Sequence, residues 1–177
     1  EVYTHLRSCD VQPENLITVM GPSKTESLSG FRLGVAFGTP KLIERMESLQ
    51  AIVSLRAAGY NQAVLDTWFQ EPLGWMENRI REHESIRDEL LQTFRAANIY
   101  TSSPQAGSYL FPQLPPLRVD LYTFIRLLRY QAKVIVTPGS EFDPACIDSI
   151  RLNFSQDYSA AVAAAKRIVK MVEIYSI

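Results

Sequence analysis

Apolar positions along this chain fall into short blocks whose period changes from one block to the next, and glycine, proline and polar clusters separate them. The run LITVM at 16–20, bounded by Pro13 to Asn15 on one side and by Gly21 and Pro22 on the other, predicts a buried strand. A loop carrying Ser23 and Lys24 follows. RLGVAFG at 32–38 predicts a second buried strand, and its glycines predict close backbone approach. Thr39 and Pro40 then suit the cap and first turn of a helix, with Ile43, Met46, Leu49 and Val53 at helical spacing.

Beyond a shorter helix at about 61–69, Pro72 and Gly74 punctuate the chain before a long amphipathic stretch from 75 to about 97. Its apolar stripe is Met76, Ile80, Ile86, Leu90, Phe94 and Ala97. At 1.5 Å per residue such a helix is roughly 33 Å long, enough to pass from one domain to another. The remainder predicts a strand at SYLF, a helix at about 119–130, strands at KVIV and IRLNF, and a last helix carrying Val162, Ala165, Val169 and Val172. Strands and helices alternate throughout, so the fold class is α/β, closing in a small α+β unit. The first residues, EVY, fit the middle of a strand with no initiator methionine before them, which predicts a piece of a longer chain.

Composition narrows the function classes. The 177 residues are 46% hydrophobic and 21% charged, which supplies a sizeable core. A formal net charge of -1 gives no overall field to gather nucleic acid or an anionic membrane surface. No apolar run approaches the roughly 20 residues a membrane helix needs, so the expectation is a cytoplasmic protein without nucleic-acid or membrane partners. Cys9 and Cys146 stand far apart and lack histidines at ligand spacing, which predicts neither a disulfide framework nor a metal site.

The chemistry concentrates around Lys24, in GPSKTESLSGFRLG between two apolar strands. A lone loop lysine is ordinarily a solvated charge. Here small residues permit close approach, hydroxyls and backbone N–H groups can bond a phosphate, and the Arg32 fork can neutralise it. An amine placed beside them can attack an aldehyde.

SKTESLSGFRLG resembles the cofactor-lysine motif of the class I and II aminotransferases. EVY at the start is similar to the family's D-E-V-Y segment, and VTPGSEFDPACIDSIRLNFS at 136–155 to its V-x-P-G-x-x-F segment followed by I-R-x-x-F. Three motifs in one order extend the resemblance over essentially the whole chain. It implies the fold of the pyridoxal-phosphate-dependent transferases, with residues 1–74 ending the large cofactor-binding domain and 75–177 forming an interdomain helix and the small domain.

It also implies roles. Lys24 would hold pyridoxal 5'-phosphate covalently and act as the catalytic base, with Tyr3, Ser23 and Arg32 as cofactor contacts. Arg151 would clamp the substrate α-carboxylate. The implied reaction moves an amino group between an amino acid and a 2-keto acid, in a homodimer where Tyr60 and Asn61 reach the neighbouring subunit's pocket. The remaining cofactor contacts would precede Glu1. Gly21 departs from the serine many members have three places before the lysine, and the interval from Tyr3 to Lys24 is short. Glu26 replaces an apolar or aromatic residue, either as a polar determinant of substrate choice or as a surface carboxylate. A lyase, cyclase or amino acid oxidase or hydroxylase would share these residues, and so would a cofactor-sensing effector domain of a transcription regulator.

Overall fold

The computed structural model describes residues 4–68 and 70–177. The chain divides after Met76 into two compact units. In the first, β1 (Thr18–Met20) pairs antiparallel with β2 (Val35–Phe37), Val19 opposite Ala36. Both strands are shorter than their apolar runs. The glycine expectation resolves locally: a Cβ on Gly34 would lie 3.3 Å from the Met20 carbonyl oxygen, so what approaches this backbone is the neighbouring end of β1. Helix α1 (Pro40–Val53) starts behind Thr39 as expected, although the Thr39 side chain makes no cap bond. The helix expected at 61–69 is a single turn, α2 (Gly59–Gln62), running into a 3-10 turn at Ala63–Asp66.

The second unit holds nearly all of α3 (Trp75–Ala96) and then β3 (Tyr109–Leu110), α4 (Leu121–Leu127), β4 (Thr137–Pro138), β5 (Ile150–Asn153) and α5 (Tyr158–Tyr175). Its three strands form an antiparallel sheet in the order β3-β5-β4. Phe94 of α3, Phe124 of α4, Ile150 and Phe154 at β5, and Ile168 of α5 meet in one core and are almost wholly buried. Full burial of each such side chain contributes about 1.5–3 kcal/mol. Only the second half of the α3 stripe takes part: Ile86, Leu90 and Phe94 are buried, whereas Ile80 is exposed.

One expected strand is absent. KVIV does not join the sheet, because α4 ends in a π-helical turn, Leu128–Ala132, and Lys133 takes a left-handed conformation (φ 55°). The Val134 N–H then bonds back to the Leu128 carbonyl. Val134 and Val136 are buried and Ile135 is 80% exposed, so the alternation in the sequence is real while the ladder begins only at Thr137.

Two aspartates fix helix starts. The Asp157 carboxylate accepts from the Ala160 N–H at 2.9 Å, and Asp120 accepts from both the Thr123 N–H and the Thr123 hydroxyl. The Thr123 hydroxyl, then the backbone N–H bond, hold the Asp120 carboxyl below its ordinary value of 3.8. A carboxyl lowered by folding stabilises fully above that ordinary value and loses its contribution as pH falls through the lowered one. Asp120→Ala is therefore expected to lower the melting temperature at neutral pH, with the gap to the parent protein closing in strong acid. Thermal melts across that range check it, and a gap independent of pH would contradict the capping role.

Candidate active site

Lys24 sits on the connection between β1 and β2. The Leu28 N–H bonds the Pro22 carbonyl at 3.0 Å and closes residues 22–28 into a loop. Pro22 and Leu33 are buried and anchor its two ends. Between them Ser23 is half-buried, Lys24 is exposed, and the half-buried Glu26 accepts a hydrogen bond from the Thr25 hydroxyl. Gly21 has a packing reason, since a Cβ there would lie 3.1 Å from the Leu33 carbonyl oxygen. A serine at this position would have to displace backbone.

Arg32 closes the same connection in a left-handed conformation, φ 51°. A non-glycine residue pays for that geometry by about 1–2 kcal/mol. Its Nη1 donates to the Ser29 carbonyl at 2.9 Å, and among the described residues its other N–H donors meet no acceptor. Ser23, Lys24 and Arg32 thus share one strand connection. Tyr3 lies outside the described residues. Tyr60 and Asn61 are both on α2, and the Tyr60 side chain is exposed.

Arg151 belongs to the second unit, on β5 opposite Thr137 of β4. It is half-buried, and its guanidinium carbon lies 4.4 Å from the centre of the Tyr109 ring and 4.1 Å from that of Phe142. Among the described residues no carboxylate or carbonyl bonds its N–H groups. Gly139 shapes the turn beside it: a Cβ there would sit 2.7 Å from the Cys146 carbonyl oxygen and 2.9 Å from that of Ser149, while its N–H donates to the latter at 2.7 Å. His83 of α3 braces the far end of β5. Its Nδ1 donates to the Arg79 carbonyl at 2.8 Å, and its Nε2 lies 2.6 Å from the Ser155 hydroxyl, from which it accepts in the neutral ring. Neither His83 nor the ring pair was singled out from the sequence, although Phe142 stands in the quoted P-G-x-x-F segment. The antiparallel register that brings Tyr109 near Arg151 left no mark in the linear pattern.

Among the described residues no three histidine, cysteine or acidic side chains cluster as a metal site, and no helix is long and apolar enough to cross a membrane. What the two loci offer is an amine on the same strand connection as the Ser23 and Thr25 hydroxyls and an open arginine, and a second arginine whose donors face no protein acceptor among the described residues. Residues 3–168 match the family described as Aminotransferase class I and II.

The chain belongs to the class I and II aminotransferases.

The solved aspartate aminotransferase from Rhodobacter sphaeroides 2.4.1 is 62% identical, with a TM-score of 0.94 over 99% of this chain and 45% of its own. Aromatic-amino-acid aminotransferase 2 of Thermococcus litoralis is 26% identical over 95% of this chain and 44% of its own length. The chain thus spans somewhat under half the length of the relatives it matches. The α/β fold expected from the alternating blocks is that of the pyridoxal-phosphate-dependent transferases. Within that fold, alpha-aminoadipate aminotransferase from Thermus thermophilus, 17% identical with a TM-score of 0.74 over 89% of this chain and 41% of its own, carries N-(5'-phosphopyridoxyl)-L-leucine. The family is pyridoxal-phosphate dependent.

Proposed function

We propose that this aminotransferase chain contributes the cofactor lysine and the carboxylate clamp to an enzyme moving amino groups between an amino acid and a 2-keto acid. Residues 1–74 are then the end of the large cofactor-binding domain, and 75–177 the interdomain helix and small domain. The observation that carries the reading is Lys24, held on a closed loop within a strand connection that ends at Arg32, an arginine with open donors.

That donor set fits pyridoxal phosphate: a primary amine for the aldehyde, the Ser23 hydroxyl and the Arg32 guanidinium for the phosphate, and Tyr3 as a further contact. When bound, the group supplies an electron sink for the bond broken at the substrate Cα. The Lys24 amine takes the Cα proton from the amino donor and, once protonated, gives one back. Arg151 holds the α-carboxylate through two parallel N–H bonds and so fixes the orientation of the amino donor. Homodimerisation, with Tyr60 and Asn61 toward the second subunit, and a cytoplasmic setting complete the proposal. The Rhodobacter relative's name makes L-aspartate the first amino donor to try, and the Thermococcus relative's an aromatic amino acid the second.

The test uses the complete protein loaded with pyridoxal phosphate, supplied with L-aspartate and 2-oxoglutarate and, separately, reduced with borohydride and mapped by peptide mass spectrometry. Amino transfer to the keto acid together with a label on the Lys24 peptide is the expected result. Ammonia release without transfer would favour a lyase or oxidase on the same residues, and a label elsewhere would remove Lys24 from the site.

Arg151→Lys is expected to raise the donor KM at least about tenfold, because an ammonium cannot reproduce the planar two-bond fork. Steady-state kinetics check this, and an unchanged KM would move the clamp to another residue.

A further inference from the structure

We propose that Tyr109 and Phe142 are positioning residues that hold the Arg151 guanidinium over their ring faces and leave its N–H groups for the carboxylate of the amino donor. The ligand in this proposal rests on the carboxylate-clamp reading above. The hold itself rests on geometry.

Both ring centres lie well inside the roughly 6 Å at which a guanidinium is attracted to an aromatic face. The two rings arrive by separate routes. Tyr109 of β3 pairs with Asn153 of β5, two residues from Arg151, so Tyr109 and Arg151 share one face of the sheet as a diagonal pair. Phe142 follows the turn Gly139–Glu141, whose start is fixed by the Gly139 N–H bond to the Ser149 carbonyl and whose end is closed by the Phe142 N–H bond to the Gly139 carbonyl at 2.9 Å. Phe111 meets Phe142 edge to face at 5.7 Å and braces it. An aromatic face offers no oxygen or nitrogen lone pair to the N–H groups. Attraction through the face therefore restrains the side chain without consuming the donors a carboxylate needs, whereas an aspartate or glutamate in the same place would occupy them.

The 48% exposure of Phe142 fits this division of labour, because a side chain needed mainly for the core would be covered. It also makes Phe142→Leu a change the fold can accept. The variants to compare in the complete protein are Phe142→Leu and Tyr109→Leu, which remove a ring, and Phe142→Tyr and Phe142→Trp, which keep one. Two readouts are needed: the KM and kcat for L-aspartate, and the Nε–H resonance of Arg151 in protein carrying isotopically labelled arginine, which feels the ring currents directly.

The expected result is that each leucine variant moves the Arg151 resonance and raises the donor KM about fivefold to tenfold with a smaller change in kcat, while the aromatic variants stay near the parent. An unmoved resonance overturns the hold. A moved resonance with an unchanged KM overturns the link to the donor carboxylate, and the carboxylate-clamp reading fails there while the ring contact survives. Equal losses in the leucine and aromatic variants overturn the face-on account in favour of general packing.

Discussion

Lys24→Ala is expected to cost roughly a hundredfold to ten-thousandfold in transamination rate, the range a positioned proton-transfer group supplies. Its loop is closed by the Leu28 to Pro22 bond and anchored by the buried Pro22 and Leu33, none of which involves the lysine side chain, so the loop closure survives the change. On the proposed reading Ser23 and Arg32 would still bind the phosphate, so the cofactor should be retained without the covalent link. Lys24→Arg should fare no better, since a guanidinium stays protonated and cannot take a proton from Cα. Single-turnover rates with L-aspartate, beside borohydride labelling of each variant, provide the check. A variant that still turns over at a parental rate, or still fixes the cofactor to this loop, would end the role of Lys24 as base.

The second large effect falls on stability. Gly139→Ala places a methyl group 2.7 Å from the Cys146 carbonyl oxygen and 2.9 Å from that of Ser149, closer than real Cβ atoms come to backbone. Backbone on both contacts cannot rotate away as a side-chain tip would. The turn must therefore open and strain its 2.7 Å bond to Ser149, at an overpacking cost of about 2–3 kcal/mol. For a unit of this size that is a fall in Tm of about 10–15 °C. Because the same turn delivers Phe142 to Arg151, the donor KM should rise as well. Gly59→Ala is the control, as nothing lies within 4 Å of a Cβ there, and it should be nearly neutral. Differential scanning calorimetry of the two variants separates the cases, and a Gly139→Ala protein melting with the parent would refute the close approach.

Much of the candidate site is legible in the sequence because its proposed chemistry is written in neighbouring residues. Ser23, Lys24 and Arg32 lie within ten positions, and the loop that joins them needs only local closure. The segment from Val136 to Ser155 likewise carries its glycine, phenylalanine and arginine in one stretch. Elsewhere the pattern named a type and missed the pairing. The valines of KVIV alternate correctly, yet the π turn before them leaves their backbone outside the ladder. The helix expected at 61–69 dissolved into two short turns, and the α3 stripe is buried over only half its length.

By itself the sequence determined the family, the α/β class and the long α3, and it singled out the amine and the two arginines of the proposed site, because periodicity and short motifs are local properties of a chain. Tertiary structure alone decided the left-handed turn that holds Arg32, the glycine that the Gly139 turn demands, the His83 bond to Ser155 and the two aromatic rings on Arg151. Those features depend on which residues face one another across strands and turns. Tyr109 is 42 positions from Arg151 in the chain, and only antiparallel register places them on the same face.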